Sequence, residues 1–391
     1  MVTDAVQALD VPGEPLSATD SIKLLSALGS VPDPRKRRGI RHSVQSILLL
    51  VVGAVLVGKT TWVGIAGWAA RADHRLRVCG PTPSAATFAR VLAAIDPAAL
   101  QTALNGWMTA RLAARSAPQT ESAPVEQLPP RQVLAVDGKV LRGARTPGGQ
   151  VKLIAAYDHA AGVVCGQVAV VGGDEIAALP AVCDTIADLH AVLITADALH
   201  CQRSHADYLV GRGAHYALTV KANQRTLRDA LAHQPWGQVP GLVQRSVGHG
   251  RRETRSIKVL SMDSQPQLAA LFPHAAQIAK IVRRRRRRGR NPTMQTVYLI
   301  TDLDHRQATP EQLAGYARGQ WTIENGLHWV RDVTFGEDRS QVRTGAAPQN
   351  LAAIRNTVIG LFRLLGHHNI AAAHQLYADQ PHLIAPLLDA A

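Results

Sequence analysis

Between residues 16 and 113 the apolar positions recur in long Ala- and Leu-rich runs with few β-branched clusters, the spacing of helices rather than strands. Two segments, DPRKRRGIRH (33–42) and PTPSAATFARVL (81–92), punctuate these runs, so residues 1–115 are expected to form an all-helical N-terminal domain. The most apolar stretch, 44–57, falls short of the roughly 20 residues that a membrane span requires. Lys59 interrupts its continuation, which makes it a buried helix. Residues 116–130 (SAPQTESAPVEQLPP) hold little that could be buried and have the composition of an exposed linker.

Beyond the linker the period changes to that of strands. QVLAVDG (132–138), KLIAAYD (152–158) and VVCGQVAVV (163–171) predict an antiparallel meander joined by glycine-containing turns. A helix at 175–190 leads to a strand at 191–197, a helix at 204–213 to a strand at 215–221, and a further helix covers 224–233. This alternation implies parallel strands. Three hairpin strands followed by two helix-linked ones is the strand sequence of a ribonuclease H-like fold, an α/β domain around a mixed five-stranded sheet over 131–370. Residues 242–306 read as more strands and charged turns, a β-rich insertion. Helices resume at TPEQLAGYARGQW (309–321), and 371–391 is expected to be a C-terminal tail.

Charge decides the class of partner. Lys and Arg outnumber Asp and Glu by 43 to 29, a net +14 in 391 residues, which favours a polyanion and nucleic acid first. Cys79, Cys165, Cys183 and Cys201 form no CxxC pair, so neither a disulfide framework nor a thiolate zinc site is indicated. With an acidic, polar N-terminus unlike a secretory signal, the sequence is expected to stay in a reducing bacterial cytoplasm, off the membrane and near the nucleoid.

The chemistry centres on carboxylates. Asp137 closes the first predicted strand and Asp197 the fourth, and in a sheet of this order those strands are neighbours. Two such groups repel unless a hard, oxygen-preferring cation sits between them, and magnesium is the physiological choice, with manganese as a substitute. Glu324 stands on a predicted amphipathic helix (316–332), where α-helical spacing puts Trp321, Glu324, His328 and Arg331 on one face.

Several motifs make a resemblance specific: VDGK (136–139), LITADALHCQ (193–202), TVKANQ (219–224), HGRRETR (249–255) and RGQWTIENGLHWVRDVTFGEDRSQVR (318–343). Over roughly residues 20–365 the chain resembles the DDE insertion-sequence transposases of the ISAs type, which include the H-repeat-associated proteins. The resemblance implies a catalytic triad of Asp137, Asp197 and Glu324. The wider group carries a Tyr, Arg, Glu, Lys signature, in which Arg331 occupies the downstream basic position and Tyr316 and Arg318 lie one or two positions from the upstream ones. Expected DNA contacts are Arg331, His328, Arg318, Lys221, Asn223, Gln224, Arg251 and Arg252. Two cations roughly 3.5 to 4 Å apart would activate water on one side and stabilise the leaving oxygen on the other. The same site would then direct the freed 3′-hydroxyl at target DNA, without a nucleotide cofactor. Joining two ends implies a homodimer on DNA.

Blander explanations stand beside these. Asp302 and Asp304 also follow an apolar strand but lack the His-Cys-Gln context and are assigned to a turn. GAVLVGKT (53–60) matches the phosphate-loop pattern, which would make the chain a nucleotide hydrolase using Lys59 and Thr60, but its bulky apolar centre points to chance. Arginines 283–288 and Arg290 fit a solvated hairpin tip or phosphate contact equally well. Trp321 and Trp329 fit core packing or stacking on an unpaired base. His200, Cys201 and His205 fit a helix start better than a metal site. The N-terminal basic segments fit a helix-turn-helix reader or a plain bundle that touches DNA. The main rival to a transposase is a domesticated, non-cutting DNA-binding protein that has kept the fold.

Overall fold

The computed structural model describes residues 23–388 apart from 39, 73–80, 117–130, 147–148, 249, 265 and 288. Almost all of the expected linker, together with Cys79, His249 and Arg288, thus lies outside the described residues. Five helices come first: α1 (Leu24–Gly29), α2 (Val44–Leu56), α3 (Trp62–Ala72), α4 (Ala85–Ala94) and α5 (Pro97–Ser116). α2 begins where Ser43 accepts a hydrogen bond from the Ser46 N–H, satisfying a first-turn donor. Every residue from Ile47 to Leu56 is buried. A helix apolar all round needs partners on all sides, and among the described residues none is long and apolar enough to cross a membrane. Gly53–Leu56 form the last turn of α2, where carbonyls rather than N–H groups lack helical partners. That polarity is opposite to a phosphate cradle, so the GAVLVGKT match is fortuitous.

The second half of the chain builds a sheet. Its strands are β1 (Val133–Thr146), β2 (Gly149–Asp158), β3 (Val164–Ala169), β4 (Leu193–Ala196), β5 (His215–Val220), β6 (Gly241–Gly248), β7 (Arg251–Ser261), β8 (Gln277–Arg287) and β9 (Thr293–Thr301). Between them lie α6 (Glu175–Cys183), α7 (Arg203–Gly211), α8 (Arg225–Ala232) and the short α9 (Pro266–Ala269). All nine strands form one sheet in the order β3-β2-β1-β4-β5-β9-β8-β7-β6. The expected meander is present, since β1 and β2, and β2 and β3, pair antiparallel, and β1, β4 and β5 run parallel.

The expected five-stranded sheet is corrected to nine. β5 would otherwise present an open edge of unpaired N–H and C=O groups, a liability that folds cover. β9 covers it in antiparallel pairing, and β8, β7 and β6 continue outward from there. The insertion is therefore an extension of the sheet.

Alternation along the strands divides the sheet into two faces. One carries Val133, Leu193, Ala217, Leu299, Ala279 and Ile257 and packs beneath Leu313 of α10 (Pro310–Gly319). The other carries Leu134, Ile194, Tyr216 and Ile300 and packs on Leu179, Leu209 and Leu227 of α6, α7 and α8. Past α10 come a π-helical turn (Glu324–His328), α11 (Trp329–Val333), α12 (Ala347–Leu364), α13 (Ile370–Asp379) and α14 (Ile384–Leu387).

Helices α1–α5 share one apolar core with α12, α13 and the first face of the sheet, through Leu48, Trp107, Ala155, Tyr157, Ile354 and Phe362. The expected C-terminal tail is corrected as well. α13 and α14 bury Ala373, Tyr377, Leu387 and Leu388 in that core, and His374 Nδ1 donates to the Leu56 carbonyl at 2.6 Å. The small, Ala-rich pattern of α13 hid a helix whose burial depends on the end of α2.

Candidate active site

Register brings the two aspartates together. Val136 pairs with Ala196 on the parallel strands β1 and β4, so Asp137 and Asp197, each one residue further on, are neighbours. By alternation both belong to the face that carries α10 and the π turn. Asp137 does not close its strand: β1 runs on to Thr146, paired with β2. Asp197 does lie past the end of β4, where its Oδ1 accepts the Leu199 N–H at 2.8 Å and caps a short turn.

Glu324 and His328 reach the same crevice from above. His328 Nδ1 lies 3.2 Å from Glu324 Oε2 and 3.6 Å from Asp137 Oδ2, bridging the two carboxylates. Donor atoms of Asp137, Glu324 and His328 all lie within 4.8 Å of one another, a spacing that can hold a metal ion. Burial pushes the Asp137 carboxyl up, with the charges of Asp197 and Glu324 adding to it against the pull of His328 and the Gly138 N–H. The hydrogen bond to His328 holds Glu324 down, helped by the His328 and Lys139 charges. Crowded carboxylates with one imidazole between them suit an oxygen-preferring divalent cation. The buried Nε2 of His328 has no hydrogen-bond partner, so this ring is held through Nδ1 alone.

The helix sits close to the sheet because small residues and polar links allow it. Gln320 accepts from Thr195 Oγ1 at 2.6 Å and donates to the Val136 carbonyl at 3.1 Å, joining the helical segment to β1 and β4. Thr195 also meets His159 Nε2 at 3.0 Å, a ring that burial pushes down to about 4 and keeps neutral. At Gly326 a Cβ would stand 2.5 Å from the Tyr157 hydroxyl, and at Gly319 it would stand 2.2 Å from the His159 ring. Gly326→Ala is accordingly expected to cost about 1–3 kcal/mol of stability by overpacking and to lift Glu324 off Asp137. A melting curve within error of wild type would contradict it.

The π turn changes the helical face expected from the sequence. It inserts an extra residue into one turn and shifts the azimuth of everything after it. Trp321 is 62 % exposed, and Glu324 and His328 stay together at the crevice, whereas Arg331 turns into the core. Arg331 as a DNA contact is corrected. It is wholly buried, with Nη2 2.7 Å from Glu337 Oε2 and Nη1 shared between Gln167 and Asn356. His328, also expected to touch DNA, is 3 % exposed and faces carboxylates instead. Trp329, at 55 % exposure, and Trp321 are not core aromatics.

The remaining expected contacts divide. Lys221 and Arg318 are exposed. Asn223 donates to the Ala198 carbonyl, and Gln224 to the Cys201 carbonyl at 2.9 Å, so both brace the loop that carries Asp197. Arg252 is exposed, while Arg251 stands 3.8 Å from buried Glu253. Asp302 lies at the opposite edge of the sheet, accepting from the Tyr216 N–H at 2.7 Å, and Asp304 caps a turn through the Arg306 and Gln307 N–H groups. His205 is spent on the His200 and Ile176 carbonyls.

Two participants went unnoticed in the sequence. Lys139 is buried beside the site and donates to Asp332 Oδ2 at 2.5 Å. Its position two residues after Asp137 in VDGK puts it on the same face of β1, a signal that was available. Glu337 receives both Arg331 and Arg355, and nothing short of tertiary structure pairs them.

Neighbouring parallel strands that carry adjacent aspartates, with a glutamate on a helix above them, define a candidate phosphodiester-processing centre. Residues 128–361 match the family model described as Transposase DDE domain, and residues 25–108 match one described as DDE_Tnp_1-associated. The chain belongs to the DDE transposase family. It is 27 % identical to "Putative transposase YncI" of Escherichia coli O157:H7 over 87 % of each chain. It is also 27 % identical to "H repeat-associated putative transposase YhhI" of Escherichia coli K12, over 87 % of this chain and 90 % of that one. Among solved structures, a piggyBac transposase synaptic complex with hairpin DNA superposes at a TM-score of 0.43 and 11 % identity, covering 94 % of this chain and 78 % of that one, too distant to bear on mechanism.

Proposed function

We propose that this chain is the transposase of a bacterial insertion sequence, cutting DNA at the element ends and joining the freed 3′-hydroxyl to target DNA in one active site. The observation that carries this is the one-step register between Asp137 and Asp197 with Glu324 facing them, in a chain of the DDE family. We read β3-β2-β1-β4-β5 as a ribonuclease H-like core, with the residues before 116 and the strands of 242–306 added to it.

Asp137, Asp197 and Glu324 would hold the divalent cations, magnesium first, and His328 Nδ1 is close enough to add a nitrogen ligand that manganese also accepts. Bound there, the cations would neutralise charge on the scissile phosphate and on the leaving oxygen. The protein's own part is orientation. Gln320 and Thr195 fix the helix over the strands, and Lys139 balances the acidic cluster from below. Asn223 and Gln224 hold the Asp197 loop. Trp321, Trp329, Arg318 and Lys221 are exposed, the aromatics suited to stacking on bases and the cations to phosphates. Two element ends brought together call for two subunits on DNA.

The test is a labelled duplex carrying the terminal sequence that flanks the gene, incubated with the protein and magnesium, manganese or a chelator. Nicking at the element boundary that disappears with the chelator is expected. Tight, specific binding without a nick under any metal would replace the enzyme with a non-cutting DNA-binding protein.

A further inference from the structure

The sheet extension ends in an arm with an unusual charge arrangement. Val220 is the last residue of β5 to pair, opposite Tyr298, which in turn pairs with Lys280. β8 then runs on from Ile281 to Arg287, seven residues beyond the main sheet or on the order of 20 Å at strand rise. β8 is parallel to β5, so the arm projects from the same edge of the sheet on which Asp197 stands.

Glu253 sits in the arm at 3 % exposure. Four arginines converge on it. Arg255 Nη2 approaches to 2.5 Å, Arg283 Nε to 2.6 Å, Arg285 Nε to 3.5 Å and Arg251 Nε to 3.8 Å. The register aligns Glu253 with Arg285, and Arg255 with Arg283, on one face. That face is also the face of Ile257 and Ala279, which lies under α10 and looks toward the Glu324 helix. One carboxylate cannot neutralise four guanidiniums. Three positive charges remain, on side chains 22–36 % exposed, and the buried Nε of Arg285 has no hydrogen-bond partner among the described residues. A buried anion that fixes several guanidiniums removes the entropy cost of ordering them for a second anion.

We propose that Glu253 organises Arg251, Arg255, Arg283 and Arg285 into a cradle for successive phosphates of the DNA duplex that runs through the active site. The proposal rests on the transposase reading and adds the surface that holds the flanking duplex. From β4, three to four strand spacings and a few residues of rise lead to the cradle, on the order of 20 Å or about six base-pair steps. The opposite face of the arm bears Arg252, Arg284 and Arg286 without an organising carboxylate among the described residues.

Two double variants decide between the faces, with binding of a 30-base-pair end duplex measured across a salt series. Arg251→Gln with Arg285→Gln is expected to flatten the slope of log affinity against log salt by about two, near 0.9 for each lost phosphate contact. Arg284→Gln with Arg286→Gln is expected to leave the slope within half a unit. Glu253→Gln adds a net positive charge yet is expected to weaken binding at least threefold, where simple charge counting predicts tightening. An unchanged slope in the first pair, a flattened slope in the second alone, or tighter binding by Glu253→Gln overturns the proposal. If wild type binds and the slopes separate as stated but nothing cuts, the cradle stands and the catalytic reading falls. If wild type cuts and the first pair leaves the slope unchanged, the reverse holds.

Discussion

Asp197→Ala is expected to lower the rate of end cleavage at least about a thousandfold while the duplex still binds within a few-fold of wild type. Metal-held charge stabilisation of a phosphoryl transition state is worth several kcal/mol, and each 1.36 kcal/mol is tenfold in rate. Asp197 sits beside Asp137 by strand register, and as a proposed cation ligand its loss would remove one of the carboxylates from the site. Its side chain also caps the turn through the Leu199 N–H, a local contact on an exposed loop whose loss costs about 1 kcal/mol and leaves the sheet intact. His328→Gln should be milder, on the order of ten- to a hundredfold, the usual effect of disturbing a group that orients metal ligands. Single-turnover rates on an end-labelled duplex separate these outcomes. Asp197→Ala cutting within tenfold of wild type would remove it from the site.

Glu337→Gln is expected to be among the most destabilising single changes in the chain. The carboxylate is buried between Arg331 and Arg355, with Oε2 and Oε1 each 2.7 Å from a guanidinium nitrogen. Removing one partner of a buried ion pair leaves uncompensated charge and costs roughly 3–5 kcal/mol. Calorimetry should register this as a fall of several degrees in melting temperature. Burial alone would raise the Glu337 carboxyl, but the two arginines outweigh it and bring it below its ordinary value of 4.5. A depressed folded-state value means its stabilisation is fully present above pH 4.5 and is lost as the pH falls through the lower folded value. Wild type should therefore lose stability below pH 4.5 more steeply than Glu337→Gln. Parallel acid curves for the two proteins would contradict this. The same pairing explains why Arg331 belongs to stability. It ties the helix that follows Glu324 to α12, so Arg331→Met should lower the melting temperature rather than the salt dependence of DNA binding.

Much of the site was legible because strand chemistry is local. An apolar run ending in Asp, twice, with helices between, needed only the strand sequence to suggest that Asp137 and Asp197 are neighbours. Glu324 stands out on an amphipathic helical segment, and the matching motifs make it the third carboxylate. The face around it departs from an α-helical period because a π turn stands there, and no residue pattern in TIENGLH announces one. The sheet was undercounted for a similar reason. Strands in 242–306 were evident, but whether β9 covers β5 or stands apart depends on which edge is left unpaired after the chain has folded.

Spacing and composition were enough for the alternation of strands and helices, the basic excess, the family motifs and the placing of Asp137 and Asp197 on neighbouring strands, though not for the continuation of β1 past Asp137. Tertiary structure alone decided that helices α1–α5 share a core with α12 and α13, that Arg331 is buried against Glu337 and that Glu253 gathers four arginines. The shared helical core and the pairing of Glu253 with Arg283 and Arg285 join residues far apart in sequence, and even over the six residues from Arg331 to Glu337 the pairing is set by burial, where an unpaired charge is too costly to leave alone.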